Sequence, residues 1–219
     1  MPNRNAADLP AASRYDAVLF DLLTALLDSW TLWNNVAGSG DAGRLWRAAY
    51  LRLTYQTGAY RRYEDLVAEA AEAVGLSRGL ADTLGARYAE LRPWPDVPRT
   101  LGALAARGLQ LGVVTNCSET LGRVAADCTG TRFNVLVTAE RAGVYKPDPR
   151  AYQLALAELD VPAERCLFVA GSSYDLVGTA AVGLATYWHD RVGMRRPPEA
   201  PAPLAHHATL GPLLGVAGL

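Results

Sequence analysis

Four points along the chain carry side chains that could do covalent chemistry, and each follows a short apolar run. Asp21 closes Tyr15-Asp-Ala-Val-Leu-Phe, Thr115-Asn116 closes the run from Leu109, Lys146 sits in Val-Tyr-Lys-Pro-Asp, and Asp175 ends Gly171-Ser-Ser-Tyr-Asp. A carboxylate is a poor nucleophile in water. It becomes useful where a fixed cation and a hydroxyl orient it in a dry pocket. A lysine close to Asp21 would hold it ionised by lowering its pKa. Lys146 is the only lysine among 21 basic residues, the remainder being arginine, which singles it out. The chemistry these groups suggest is attack by Asp21, assisted by Thr115, Lys146 and Asp175.

To converge, these groups need a common scaffold. Apolar runs at 15–21, 109–115, 134–138, 166–170 and 185–188 read as strands, and stretches at 97–107, 119–127, 149–159 and 175–182 read as helices. Alternating strand and helix predicts an α/β fold with a doubly wound parallel sheet, whose ligands bind beyond the carboxyl ends of the strands. Residues 29–91 break the alternation with helical segments at 45–55, 63–74 and 80–91. A helical cap over 29–95 is expected, with 1–28 and 96–219 forming the core. Pro93, Pro95 and Pro98 mark the return to it. Residues 1–14 read as a loose arm without the apolar stretch of a signal peptide. The tail from 195 to 204 reads as a proline-rich linker before a short helix at 210–216, with His206 and His207 exposed.

Composition narrows the function classes. A formal net charge of −1 gives no electrostatic case for nucleic acid or an anionic membrane surface. Three scattered cysteines without a CxxC pair argue against a disulfide framework and a cysteine-based metal site. No apolar run approaches the ~18 residues of a membrane span. A cytoplasmic enzyme is the expectation.

Phe20-Asp21 followed by Leu-Leu-Thr-Ala-Leu-Leu-Asp, Val-Val-Thr115-Asn116, Tyr-Lys146-Pro-Asp and Phe-Val-Ala-Gly-Ser-Ser-Tyr-Asp175 together resemble the four ordered motifs of the haloacid dehalogenase superfamily. The resemblance spans about residues 15–190. It implies a Rossmann-like core with an inserted α-helical cap, and an aspartate that forms a covalent ester or acyl phosphate. Family phosphatases carry a second aspartate two residues after the nucleophile and a Mg²⁺-binding acid early in the fourth motif; here those positions are Leu23 and Gly171. The branch without metal, the L-2-haloacid dehalogenases, is the better match. Trp46-Arg47 through Arg62-Tyr63-Glu64-Asp65 resembles its cap pattern, and Lys146-Pro-Asp-Pro-Arg-Ala-Tyr152 its third motif.

That resemblance implies a metal-independent hydrolase attacking carbon through an Asp21 ester. It implies a small carboxylic acid as substrate and a homodimer. Substrate contacts are expected from Asn116, Tyr152, Ser172, Thr57 and Leu22. A gapless alignment puts Thr57 where dehalogenases carry the arginine that accepts the leaving halide, with Arg61 and Arg62 nearby. Ala25 stands at the family's threonine, with Thr24 adjacent, and Ala170 and Ser172 at its serine and asparagine. A leaving group that stays attached, as in opening a strained ring, needs no halide site and is expected as an alternative. An atypical phosphatase and a non-catalytic small-molecule binder complete the alternatives.

Overall fold

The computed structural model describes residues 13–216 and 219; the expectations for residues 1–12 lie outside them. Six parallel strands form one sheet in the order β3-β2-β1-β4-β5-β6: β1 (Ala17–Phe20), β2 (Gln110–Thr115), β3 (Val135–Thr138), β4 (Cys166–Ala170), β5 (Ala185–His189) and β6 (Ala205–His207). Five of these are the strands expected from the sequence, with ends shifted by a residue or two. β1 is fully buried, as expected of an inner parallel strand covered on both faces. Phe20 aligns with Val113 of β2 and Val169 of β4. The next residue, Asp21, therefore emerges at the carboxyl edge between the ends of both neighbours. The chain leaves β1 for β2 on one side, while β4 pairs on the other, so Asp21 stands where the strand order reverses.

β6 is a correction. The tail contains an edge strand, because Leu204 donates its N–H to the Thr186 carbonyl and the three residues Ala205–His207 pair with β5. Prolines at 197, 198, 201 and 203 mask so short a strand in the sequence. His206 and His207 are exposed as expected, and His206 stacks on Trp188 with ring centroids 4.0 Å apart. The final helix is a 3-10 turn over Gly211–Gly215.

Between β1 and β2 run α1 (Ser29–Ala37), α2 (Gly40–Gln56), α3 (Tyr63–Ala73), α4 (Leu80–Ala86) and a 3-10 turn, Tyr88–Glu90. Asp28 caps α1 by accepting from Thr31 N–H, and Ser39 caps α2 by accepting from Ala42 N–H. α1 and α2 approach closely at Gly43, where a Cβ would lie 2.2 Å from Asn34 Oδ1 and 2.7 Å from Asn34 Cα. The outgoing and returning chains run side by side. Leu27 bridges Pro93 antiparallel, Asp28 N–H reaches Arg92 O at 2.9 Å, and Trp94 N–H reaches Leu26 O at 3.0 Å.

The later helices follow their strands: α5 (Val97–Ala106), α6 (Glu119–Asp127), α7 (Ala139–Ala142), α8 (Pro149–Leu159) and α9 (Asp175–Ala181). α8 begins with Pro149 behind an Asp148 cap that accepts from Arg150 N–H, which ends the Lys146 loop abruptly. α7, a single turn, is too short to show as periodicity.

Candidate active site

The strand ends bring the predicted carboxylates and lysine together. Lys146 Nζ donates to Asp21 Oδ1 at 2.8 Å and lies 3.1 Å from Asp175 Oδ1, and all three side chains are almost wholly buried. Asn116 clamps the lysine's backbone: its Oδ1 accepts from Lys146 N–H at 2.7 Å and its Nδ2 donates to Lys146 O at 3.1 Å. One N–H of that amide is left over for a ligand. Tyr50 of α2 donates to the Asn116 carbonyl at 2.8 Å, tying this loop to the helical layer above.

The other oxygen of the nucleophile candidate is held by its own turn. Asp21 Oδ2 accepts from Thr24 N–H at 2.9 Å, from Ala25 N–H at 3.2 Å and from the Thr24 hydroxyl. Trp94 Nε1 donates to Thr24 O at 3.0 Å, and His189 Nδ1 contacts Ala25 O at 2.8 Å. Burial holds His189 down at about 4, so it is neutral near pH 7, and its Nδ1 must carry the proton to make that bond. Gly171 packs against the same turn so tightly that a Cβ would lie 2.2 Å from Ala25 N and 2.3 Å from Thr24 Oγ1. The position that holds a metal-binding acid in the phosphatases has no room here for any side chain.

Two like charges and one cation share this buried space, and the two carboxylates part ways. Burial alone would raise Asp21, but the Lys146 charge, its hydrogen bond and the Thr24 donors outweigh it, so Asp21 falls below the usual carboxylate range. Asp175 moves up: burial raises it, Lys146 opposes, and the neighbouring Asp21 charge adds to the rise. Its Oδ1 also accepts from Tyr152 at 2.7 Å, whereas its buried Oδ2 has no protein partner. One carboxylate stays ionised, and its partner is poised to take a proton.

A cavity of about 60 Å³ opens over Asp21, walled by Thr115, Asn116, Lys146, Ser172 and Asp175 from the carboxyl side of the sheet. Trp30, Arg47, Tyr50 and Tyr55 close it from α1 and α2. Arg47 is the feature the sequence reading missed as a site residue. It is 6% exposed, its guanidinium carbon lies 4.1 Å from the Trp30 ring centroid, and its Nη1 donates to Ser29 Oγ at 2.7 Å. Ser29 in turn donates to Leu23 O, so the arginine is tethered to the nucleophile's own turn. Burial pulls the guanidinium down, but arginine starts far above neutrality and remains charged. The clue lay in the helical period: on α2 the buried positions are 43, 46, 47, 49, 50 and 54, one face of the helix that includes Arg47.

Three expected contacts are corrected. Thr57 is the C-terminal cap of α2 and does not line the cavity, so the cation over the site is Arg47. Arg61 and Arg62 point away, into ion pairs with Glu69 and with Glu64 and Asp65. Tyr152 is buried behind Asp175 and supports it instead of facing the cavity. Leu22 is fully buried, and it is the neighbouring Leu23 that reaches the cavity wall. Thr24, only a neighbour of the family position in the sequence, supplies the hydroxyl that Ala25 lacks.

Lys146→Met would leave two buried carboxylates facing each other, at a cost of about 3–5 kcal/mol near neutral pH. The pH dependence has a definite sign. In the native protein Asp21 is depressed, so its contribution is present above about pH 4 and fades as pH falls through its folded value, while the raised Asp175 partly offsets it. Without the lysine both carboxyls are raised, so the variant's deficit should shrink on acidification. Urea unfolding of both proteins between pH 4 and 8 measures this, and a deficit that does not vary with pH would contradict it.

Residues 15–183 match the family model for haloacid dehalogenase-like hydrolase. The chain is 31% identical over 194 residues to (S)-2-haloacid dehalogenase H-109 of Pseudomonas putida, covering 81% of this chain and 87% of that one. It is 31% identical to (S)-2-haloacid dehalogenase 4A of Burkholderia cepacia over 219 residues, covering 90% and 94%. Among solved structures, an L-2-haloacid dehalogenase superposes with a TM-score of 0.82 at 26% identity, covering 93% of this chain and 98% of that one. With four motifs converging on one buried cavity and a match over most of its length, this chain belongs to the haloacid dehalogenase-like hydrolase family.

Proposed function

We propose that this protein hydrolyses small 2-halocarboxylic acids to 2-hydroxy acids without a metal ion, through an ester on Asp21. One observation carries the reading. Asp21, ionised by Lys146, faces the buried Arg47 across a small cavity, while the 21–25 turn fills the place of the metal-binding acid. The names of the two curated relatives described above support the same substrate class.

Oδ2 of Asp21 is occupied by three donors, so Oδ1, which accepts from Lys146, is the oxygen that attacks C2 of the substrate. The C2–halogen bond breaks, and the halide leaves toward a fixed cation. Arg47 fills that role, stabilising charge that develops as the bond breaks. Water then attacks Cγ of the Asp21 ester. The negative charge collects on Oδ2, where the Thr24 and Ala25 N–H groups and the Thr24 hydroxyl already point. Asp175 accepts the water's proton at its unpartnered Oδ2, the 2-hydroxy acid departs with C2 inverted, and the proton passes to solvent. Halide, hydroxy acid and one proton balance the haloacid and one water consumed.

Arg47 also changes the weight of ring opening, whose premise was a neutral cap residue at Thr57. With a guanidinium over the site, halide departure needs no substitute. Residues 29–95 act as the cap in this account, supported by the side-by-side chain crossing at 26–28 and 92–94. Among the described residues no helix is long and apolar enough to cross a membrane. A cytoplasmic setting, supported by three free cysteines, and a homodimer belong to the same proposal.

Halide release from (S)-2-chloropropanoate should yield (R)-lactate, be unaffected by a chelator, and fall at least about 10³-fold in Asp21→Asn. Phosphate release from phosphate esters that is lost with chelation would overturn the reading. Tyr152→Phe removes a donor that stabilises the Asp175 carboxylate. The acid limb of kcat should therefore move to higher pH with little change in KM. An unshifted limb would assign the proton transfer to another group.

A further inference from the structure

The reaction cavity does not end at Tyr55 and Tyr174. Beyond it lies an outer chamber of about 550 Å³, against about 60 Å³ for the inner space. The two share five wall residues: Trp30, Leu51, Tyr55, Tyr174 and Met194. The two tyrosines come from opposite sides, Tyr55 from α2 and Tyr174 from the loop before α9, with ring centroids 4.6 Å apart. Tyr174 is one of five large hydrophobic side chains among the described residues that stay exposed, at 38%. The inner space is small, so a longer substituent has to run past this ring pair, along the shared wall, into the outer chamber.

From this we infer that the preferred substrates are 2-haloacids extended at C3 by an apolar chain of several carbons, whose tail lies in the outer chamber. The inference rests on the haloacid reading and adds the substrate's size and character. The wall chemistry favours an apolar occupant. Trp30, Leu51, Tyr55, Tyr174 and Met194 offer rings, a thioether and a branched alkyl group, whereas the polar groups at the chamber, Arg44, Arg52 and Gln56, are solvent-exposed. Arg44 is already paired with Asp41. The acid's own carboxylate stays inside, near Lys146 and the spare N–H of Asn116. Against the rings and alkyl groups a polar tail would lose water without a partner in return, whereas an apolar one gains from the contact.

The experiment compares kcat/KM for bromide release from racemic 2-bromo acids of three to ten carbons, in wild type and in Ala48→Trp. Ala48 is an exposed residue of α2 that lines the outer chamber and not the inner cavity, so the indole fills the chamber at little risk to folding. In wild type, kcat/KM should rise by about threefold per methylene until the chamber is full. The variant should cut the ratio of eight-carbon to three-carbon kcat/KM by about tenfold or more. Turnover of the short acids with no gain on lengthening overturns the inference and leaves the haloacid reading standing. An equal gain in both proteins also overturns it, because the tail then lies elsewhere. Absence of bromide from every acid removes the haloacid reading and this inference with it.

Discussion

The site depends on one ammonium group buried between two carboxylates. Lys146 Nζ sits within 3.1 Å of both Asp21 and Asp175, in a place where none of the three charges would be tolerable alone. The sum leaves one net negative charge, and the surroundings decide where it rests. Thr24 and Ala25 donate to Asp21, keeping it a carboxylate, while Asp175 receives one hydroxyl and is the group ready to accept a proton. In the proposed mechanism a nucleophile and a base thus arise from identical side chains through unequal hydrogen bonding.

The rest of the fold holds this arrangement still. Parallel register sets Asp21 level with the ends of β2 and β4, Asn116 pins the lysine's backbone, and Gly171 lets the fourth motif press against the nucleophile's turn. That contact does double duty. It fixes the Thr24 and Ala25 donors and removes the space an acidic side chain would need. In the proposed reaction charge balance then falls to Lys146 and Arg47, which suits a departing halide better than a phosphoryl group carrying two negative charges.

Much of this was legible in the sequence because strand ends are short, apolar and followed by polar residues in a fixed order. Asp21, Thr115, Ser172 and Asp175 all fall on the cavity rim for that reason, and Lys146 joins them from the loop between α7 and α8. Arg47 was obscured because an insertion-free alignment across the helical segment pointed to Thr57, ten residues away on the same helix. Helical periodicity carried the missing signal, since Arg47 shares the buried stripe with Trp46 and Tyr50 whereas Arg44 and Arg52 do not. Sequence puts Tyr152 six residues after the lysine, but only packing decides that its hydroxyl turns to Asp175. β6 could not be read locally, because an edge strand of three residues owes its existence to β5 and not to its own composition.

The central claim is that Asp21 is consumed as an ester and regenerated by water at its own Cγ. A single turnover in H₂¹⁸O, with enzyme in excess over a 2-haloacid, followed by mass analysis of the peptide containing Asp21, tests it directly. The account predicts one ¹⁸O in the Asp21 carboxylate and none in the hydroxy acid. Label in the hydroxy acid with an unlabelled Asp21 would mean that water attacks C2 itself, and would contradict it.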